Sequence, residues 1–482
     1  MSDQNIQQEN KHKIYFSFRA TLCLLTESYF IVNKNQGKEV IFITRFRLVD
    51  SPMGSGKTTA TINHINYTEK YYSNDSIERV MVCVPYIEQV DRFLKNTKLK
   101  TPKTGIKLDH LKMLIEKGEN IVITHALFNT FDSEVIDLLT NGKYNYDLFH
   151  DEQPQFFQGI IGGDRGGDFG NCVLDNIGQA DLLYLVKNGI LLKKEDKFIW
   201  NTQSFYNCEK KMIYEPLKEL CSVADLYYYG VNKFDKSFPA CLIAFTKPKV
   251  FNSFNSVWIL SYQLKGSIVD SYFALNNISD VEYYHVEDNK FKEGYKFEYP
   301  KGLNRIILHQ GKYNFNFGLS KNWYFQNGNK ENLDYIGKCS YNYLRYIFGK
   351  KSFKSKDYIW TTFSGYELYI SKANKSFSKS RFVPCNTKAT NEYKDSSVAI
   401  YLCNRYPNVM LQGLLNSKGL NFDDKLFALS ELLQFVFRTD IRNVDSNKPI
   451  NVFVPNRRMR ELFAAWLKEG KDEQYLTEKV AA

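Results

Sequence analysis

From about residue 40 to residue 152, short β-branched runs alternate with longer amphipathic stretches, and nothing else in the chain narrows its possible folds as much. Strands are expected at Phe46–Asp50, Arg79–Pro85, Asn120–Thr124 and Tyr146–Asp151. Helices are expected between them, at Thr58–Tyr72, Ile87–Lys95, Leu108–Lys117 and Ser133–Asn141. Strands separated by helices run parallel, and the crossover helices then cover both faces of the sheet. A doubly wound α/β domain follows.

Residues 153–235 break the pattern. Gly162-Gly163-Asp164-Arg165-Gly166-Gly167 is a glycine-rich patch, and amphipathic stretches follow around Ala180–Leu192 and Glu209–Tyr228, so a mainly helical insertion is expected. Ala240–Phe245 reads as a strand returning to the first sheet, and Val257–Ser261 as the start of a second alternating series. That series continues through Asn304–His309, Tyr358–Phe363, Arg381–Pro384, Val398–Leu402 and Ile450–Val454. Its strongest helix is Asp423–Arg442, where Leu426, Leu429, Leu432, Leu433 and Val436 recur at helical spacing. The expected organisation is an extension over 1–40, a first lobe over 41–250 carrying the insertion 153–235, and a second lobe over 251–482.

Composition excludes several classes. With 43% hydrophobic and 24% charged residues the chain is not of the disordered kind. Its 64 basic and 53 acidic residues leave a net charge of +11, a moderate bias toward polyanionic partners. Nine cysteines are scattered singly without a Cys-x-x-Cys pair, as in a reduced intracellular protein, and no structural metal is expected. The most apolar early stretch, Tyr15–Val32, is interrupted by Arg19 and Glu27, so neither a signal peptide nor a membrane span is expected. The location expected is the cytoplasm, or a host's cytoplasm for a viral protein.

Ser51-Pro52-Met53-Gly54-Ser55-Gly56-Lys57-Thr58-Thr59 joins the first strand to the first helix. That context suits a phosphate-binding loop, with Ser51 in the place of the usual first glycine. Gly54, Ser55 and Gly56 let backbone amides curl round a β-phosphate, and Lys57 can reach the β- and γ-phosphates. Thr58 offers a hydroxyl to Mg2+, with Thr59 beside it on the helix N-terminus. The spacing is not that of a dinucleotide site, so the expected ligand is a nucleoside triphosphate, ATP first. Tyr146–Asp151 ends in two carboxylates, Asp151 and Glu152. Asp151 would hold Mg2+ and Glu152 would polarise the attacking water.

With these motifs in place the chain resembles the DEAD/DEAH-box-like helicases of superfamily 2, and in particular the divergent helicase-like proteins of phages and mobile elements. Ser51–Thr59 is similar to motif I, Asp151-Glu152-Gln153-Pro154 to motif II, and the run from Gln434 to Arg442 to motif VI. The resemblance implies two RecA-like lobes with ATP and Mg2+ in the cleft between them. It implies Gln434 at the nucleotide and Arg438 and Arg442 as fingers toward the γ-phosphate, presented from one helix face. The family spaces this pair three apart rather than four, which puts Arg438 ahead of Arg442. Thr246-Lys247-Pro248 stands in the place of motif III. Pro85, Tyr86 and Arg92 (motif Ia), Thr124 and His125 (Ib), and Thr390 and Asn391 (V) would contact a nucleic-acid backbone. The late cluster Arg457-Arg458-Met459-Arg460 is a further phosphate candidate or a plain helix start.

The function expected is an ATP-dependent helicase or translocase on single-stranded or duplex nucleic acid, DNA before RNA, without a membrane partner and with replication or recombination proteins as possible associates. Its competitors are a DNA-packaging motor ATPase and a nucleic-acid-binding or assembly protein whose ATPase site has decayed.

Overall fold

The computed structural model describes residues 44–103, 105–161, 178–231, 239–349, 353–372, 377–385, 392–420, 422–443 and 445–481. The N-terminal extension, the glycine-rich patch, Thr390 and Asn391 lie outside these residues.

The first lobe opens with β1 (Arg45–Asp50), β2 (Glu78–Val84), β3 (Ile121–Thr124) and β4 (Asn145–Asp151). Between them stand helices Lys57–Tyr67, Ile87–Asn96, Lys107–Glu116 and Ser133–Asn141, each within a few residues of its expected place. Successive strand residues are buried on opposite faces. Leu48, Met81, Ile121 and Leu148 pack on one side, and Val49, Val80, Val82 and Phe149 on the other. Two buried faces are why these strands read as continuous apolar runs.

The helices of the insertion are joined by a sheet that its sequence does not announce. The insertion holds β5 (Phe157–Ile161), β6 (Leu191–Lys194), β7 (Lys197–Trp200), β8 (Ala224–Val231) and β9 (Pro239–Thr246), an antiparallel sheet in the order β5-β9-β8-β7-β6. Helices Gln179–Lys187, Thr202–Tyr206 and Lys211–Val223 pack beside it, and Leu182, Leu185, Tyr214, Leu217, Leu226 and Leu242 share its core. The amphipathic stretch expected over Glu209–Tyr228 changes from helix to strand at Ala224, where a Tyr-rich run with strong β preference begins. β9, expected in the first sheet, pairs instead with β5 and β8. The short connection between β8 and β9 permits antiparallel pairing, whereas a parallel return would need a crossover.

β10 (Ser256–Ser261) does not open the second series either. It lies in the middle of the first sheet, pairing in parallel with both β1 and β4. A hairpin of β11 (Val281–Glu287) and β12 (Lys290–Glu293) completes that sheet in the order β12-β11-β1-β10-β4-β2-β3, so it reaches past residue 250. The sequence of β10 is that of any strand buried on both faces, and its lateral place is written nowhere in it.

The second lobe holds a parallel sheet of β13 (Ile306–Leu308), β14 (Tyr358–Thr361), β15 (Val398–Tyr401) and β16 (Ile450–Phe453), ordered β13-β16-β15-β14. Arg381–Pro384 forms no strand; a 3-10 turn spans Lys379–Arg381, and Phe382 makes a single bridge to Trp360. The long helix spans Asp424–Val436 and stops there. The Thr439 hydroxyl donates to the Val436 carbonyl, and the Asp440 N–H turns to Ser396. Arg442 therefore sits in a separate 3-10 turn, Asp440–Arg442, and shares no helix face with Arg438.

The lobes interlock. Tyr262, just past β10, is buried among Val436, Phe437 and Trp466 of the second lobe, with Met53 of the loop after β1 packed against the same cluster. In the opposite direction, helix Val409–Ser417 sends Leu411, Leu414 and Leu415 into the first lobe's core beside Tyr227 and Phe245, and Lys418 pairs with Asp196 of the insertion.

Candidate nucleotide site between the lobes

The segment after β1 is held at both flanks. Ser51 N–H donates to the Ser261 carbonyl at 3.0 Å, and Ser51 Oγ accepts from Val286 N–H at 2.8 Å. Ser51 thus ties β1 to both its neighbours, a use that the usual glycine could not serve. Gly54 and Gly56 have φ of 83° and 90°, which favour glycine. The turn of the β11–β12 hairpin lies against the loop, since a Cβ on Gly56 would come 2.5 Å from Asn289 Oδ1. Helix Lys57–Tyr67 begins with neither a side-chain cap nor an acidic residue in its first turn. Its first N–H groups and its dipole are suited to an anion.

Lys57 Nζ donates to the carbonyls of Ser51 at 2.6 Å and Pro52 at 3.0 Å, folding back on the loop. Burial pushes its pKa down, and Glu152, Asp151 and Asp50 act against that. Asp50 is itself buried and raised by burial, while accepting N–H bonds from Gln263 at 2.8 Å and Leu264 at 3.0 Å. Those bonds fix the segment that leaves β10 next to the phosphate loop.

Asp151 is buried at the end of β4. Glu152 follows with φ of 70°, the left-handed region, where a non-glycine residue costs about 1–3 kcal/mol. Its N–H donates to the Leu260 carbonyl at 2.8 Å, and its Oε2 accepts from Ser261 Oγ at 3.1 Å. Neighbouring strand ends hold the strained residue and aim its carboxylate. Ser261 is the residue that sequence reasoning missed. Thr246-Lys247-Pro248 instead ends the insertion sheet, with Lys247 Nζ on the Cys221 carbonyl at 2.6 Å. A polar Ser-Tyr-Gln step at the end of a wholly buried strand was the available signal.

Met53, Lys57, Glu152, Ser261 and Tyr262 of the first lobe line one cleft with Ser430 and Gln434 of the second. Ser430 and Gln434 are the second lobe's share of this lining. Arg442 also faces this group: burial lowers its pKa, while Glu152 and Asp151 hold the charge. Arg438 is different. It is 0% exposed, and its Nε and both terminal nitrogens have no acceptor. Burial lowers it to about 10, with Tyr86, Arg442 and Glu431 the leading charged neighbours. Of the pair, Arg442 is the one beside the carboxylates, because the helix ends before Arg438 and the following turn brings Arg442 round to them. A buried guanidinium without an acceptor costs several kcal/mol, and an anion is the partner that would offset it.

The expected nucleic-acid contacts scatter. Pro85 and Tyr86 are half-buried after β2, with Tyr86 near Arg438. Arg92 donates to Thr59 Oγ1 at 3.0 Å, beside the phosphate loop. Thr124 Oγ1 accepts from Leu127 N–H at 3.3 Å, capping the short helix His125–Phe128. His125 Nε2 lies 2.7 Å from the Asp151 carbonyl, behind the carboxylates. Of the late arginine cluster, Arg458 is tied to Asp424 at 2.8 Å and Arg460 to the Pro455 carbonyl at 2.7 Å, while Arg457 is exposed and pairs with Glu461.

Residues 290–467 match the family described as the YonV C-terminal Rossmann-like domain. The SPbeta prophage-derived uncharacterized protein YonV of Bacillus subtilis (strain 168) is 30% identical over 454 residues, spanning 89% of this chain and 100% of that protein. The structure of S. tokodaii Xpd4 aligns with 88% of this chain and 94% of its own at 12% identity, with a TM-score of 0.42. By its similarity along the whole of YonV, the chain belongs to the YonV family.

Proposed function

We propose that the protein is an ATP-dependent nucleic-acid motor, a helicase or translocase acting on DNA in preference to RNA. The observation that carries this reading is the buried Arg438 guanidinium, without an acceptor, on the lobe whose Gln434 shares a cleft with Lys57 and Glu152. A nucleoside triphosphate between the lobes supplies the missing anion and gives the capless helix N-terminus its ligand.

Gly54, Ser55, Gly56 and Thr59 would wrap the phosphates with Lys57, and Thr58 and Asp151 would hold Mg2+, which neutralises phosphate charge when bound. Glu152, aimed by Ser261, would polarise the attacking water, and Arg442 with Arg438 would neutralise the charge that develops on the transferred phosphoryl group. Because both lobes supply these groups, hydrolysis would loosen the cleft, as a motor requires. A parallel sheet on each side of the cleft favours this reading over a single-lobed packaging ATPase. Arg92 and His125 are better explained by support of the nucleotide site than by contact with nucleic acid.

Among the described residues no helix is long and apolar enough to cross a membrane. A cytoplasmic motor working with replication or recombination proteins is the setting we propose. ATP-driven displacement of a labelled strand from a tailed DNA duplex tests the reading. Displacement that disappears in Lys57→Ala supports it, and absence of both displacement and translocation in an ATP-hydrolysing protein refutes it.

A further inference from the structure

We propose that Cys83, His125 and His150 form a zinc site on the inner face of the first sheet, directly behind Asp151 and Glu152. Far apart in sequence, the three are brought together by strand register. Cys83 of β2 and His150 of β4 are paired neighbours, so their side chains leave the sheet on the same face. His125 is the first residue after β3, whose last residue, Thr124, pairs with Val84. One ligand atom from each residue lies within 4.8 Å of the other two, and Cys83 and His150 are buried. Closing round a zinc ion would bring these atoms to about 3.5 Å, the separation implied by Zn–S of about 2.3 Å and Zn–N of about 2.0 Å.

The surrounding bonds suit a ligand role. His125 Nε2 lies 2.7 Å from the Asp151 carbonyl, and His150 Nδ1 lies 2.8 Å from the Glu152 carbonyl. A carbonyl only accepts, so these nitrogens carry the ring protons, and Nδ1 of His125 with Nε2 of His150 would be the ligand atoms. An imidazole that donates its other N–H to a carbonyl is the usual outer support of a metal site. The rings lie 4.3 Å apart, and Phe128 meets His150 edge-on at 5.4 Å, which makes the shell largely apolar. One thiolate and two imidazoles suit zinc, or cobalt in its place, and leave a fourth position for water. The ion would anchor the main chain of both acidic residues through the two imidazoles. Cysteine spacing is silent on such a group, because its ligands meet only through the register of β2, β3 and β4.

The proposal stands apart from the nucleotide reading and is tested without ATP. The full chain is stripped with a chelator and titrated with Co2+, and bound zinc is measured in protein as purified. The expected result is one equivalent of metal, a thiolate-to-cobalt charge-transfer band and visible bands of a four-coordinate ion. Cys83→Ser, nearly isosteric, should abolish the charge-transfer band. In His150→Gln, Co2+ binding should weaken at least about tenfold. Folded wild type that binds neither zinc nor cobalt overturns the proposal, as does a charge-transfer band that survives in Cys83→Ser. Should His150→Gln fail to fold, His125→Gln on the more exposed side replaces it with the same expectation.

Discussion

Ser261 Oγ donates to Glu152 Oε2 at 3.1 Å while the Ser261 carbonyl accepts the Ser51 N–H at 3.0 Å, so one residue ties the acidic strand end to the glycine-containing loop after β1. The contact can pass only through β10, the strand that separates β1 from β4.

Ser261→Ala should therefore leave the fold and the KM for ATP nearly unchanged and lower kcat about 10–100-fold, the worth of one hydrogen bond to a charged group. Steady-state hydrolysis measures it. An unchanged kcat would remove Ser261 from the account.

Arg438 is fully buried, and none of its three guanidinium nitrogens meets a protein acceptor. Replacing it with Met should keep or raise thermal stability, by up to about 4 kcal/mol, because an uncompensated buried charge is removed. The same variant should lose most of the stabilisation that Mg-ATP gives the wild type. Thermal melts with and without nucleotide read both effects. A variant that melts earlier yet keeps its full nucleotide shift would show that Arg438 is structural.

His64 provides a pH test. It packs against Phe149, Trp258 and Phe291 with centroid distances of 5.4, 5.4 and 5.7 Å. Burial lowers its pKa from 6.5 to about 4. The folded state thus keeps the ring neutral while the unfolded chain protonates it near pH 6.5. Its contribution is complete above about pH 6.5 and is lost as pH falls toward 4, up to about 2 kcal/mol after allowing for partial exposure. Urea melts between pH 7 and 4 should show this loss, and His64→Phe should flatten it.

What could be read from the sequence was what is local. The Ser51–Thr59 turn between β1 and its helix, the Asp151-Glu152 strand end and the first four strands each carry their signal within a dozen residues. Lateral order is not local. β10 looks like the opening of a new domain because a long insertion precedes it, yet it fills the centre of the first sheet. Ser261 was missed for that reason, and the Cys83, His125 and His150 group likewise exists only through strand register. The insertion was misjudged where an amphipathic helix passes into a tyrosine-rich strand at Ala224. The arginine pair was misread because periodicity carried the helix past Val436, where Thr439 turns the chain.

The most direct test of the central claim is steady-state ATP hydrolysis by the full chain, alone and with single-stranded DNA, duplex DNA or single-stranded RNA. Wild type should be compared with Lys57→Ala and Glu152→Gln. The account predicts at least about tenfold stimulation by DNA and a loss of about 100-fold or more in each variant. Folded wild type that hydrolyses no ATP under any of these conditions would contradict it, and would leave the cleft as the relic of a nucleotide site in a binding protein.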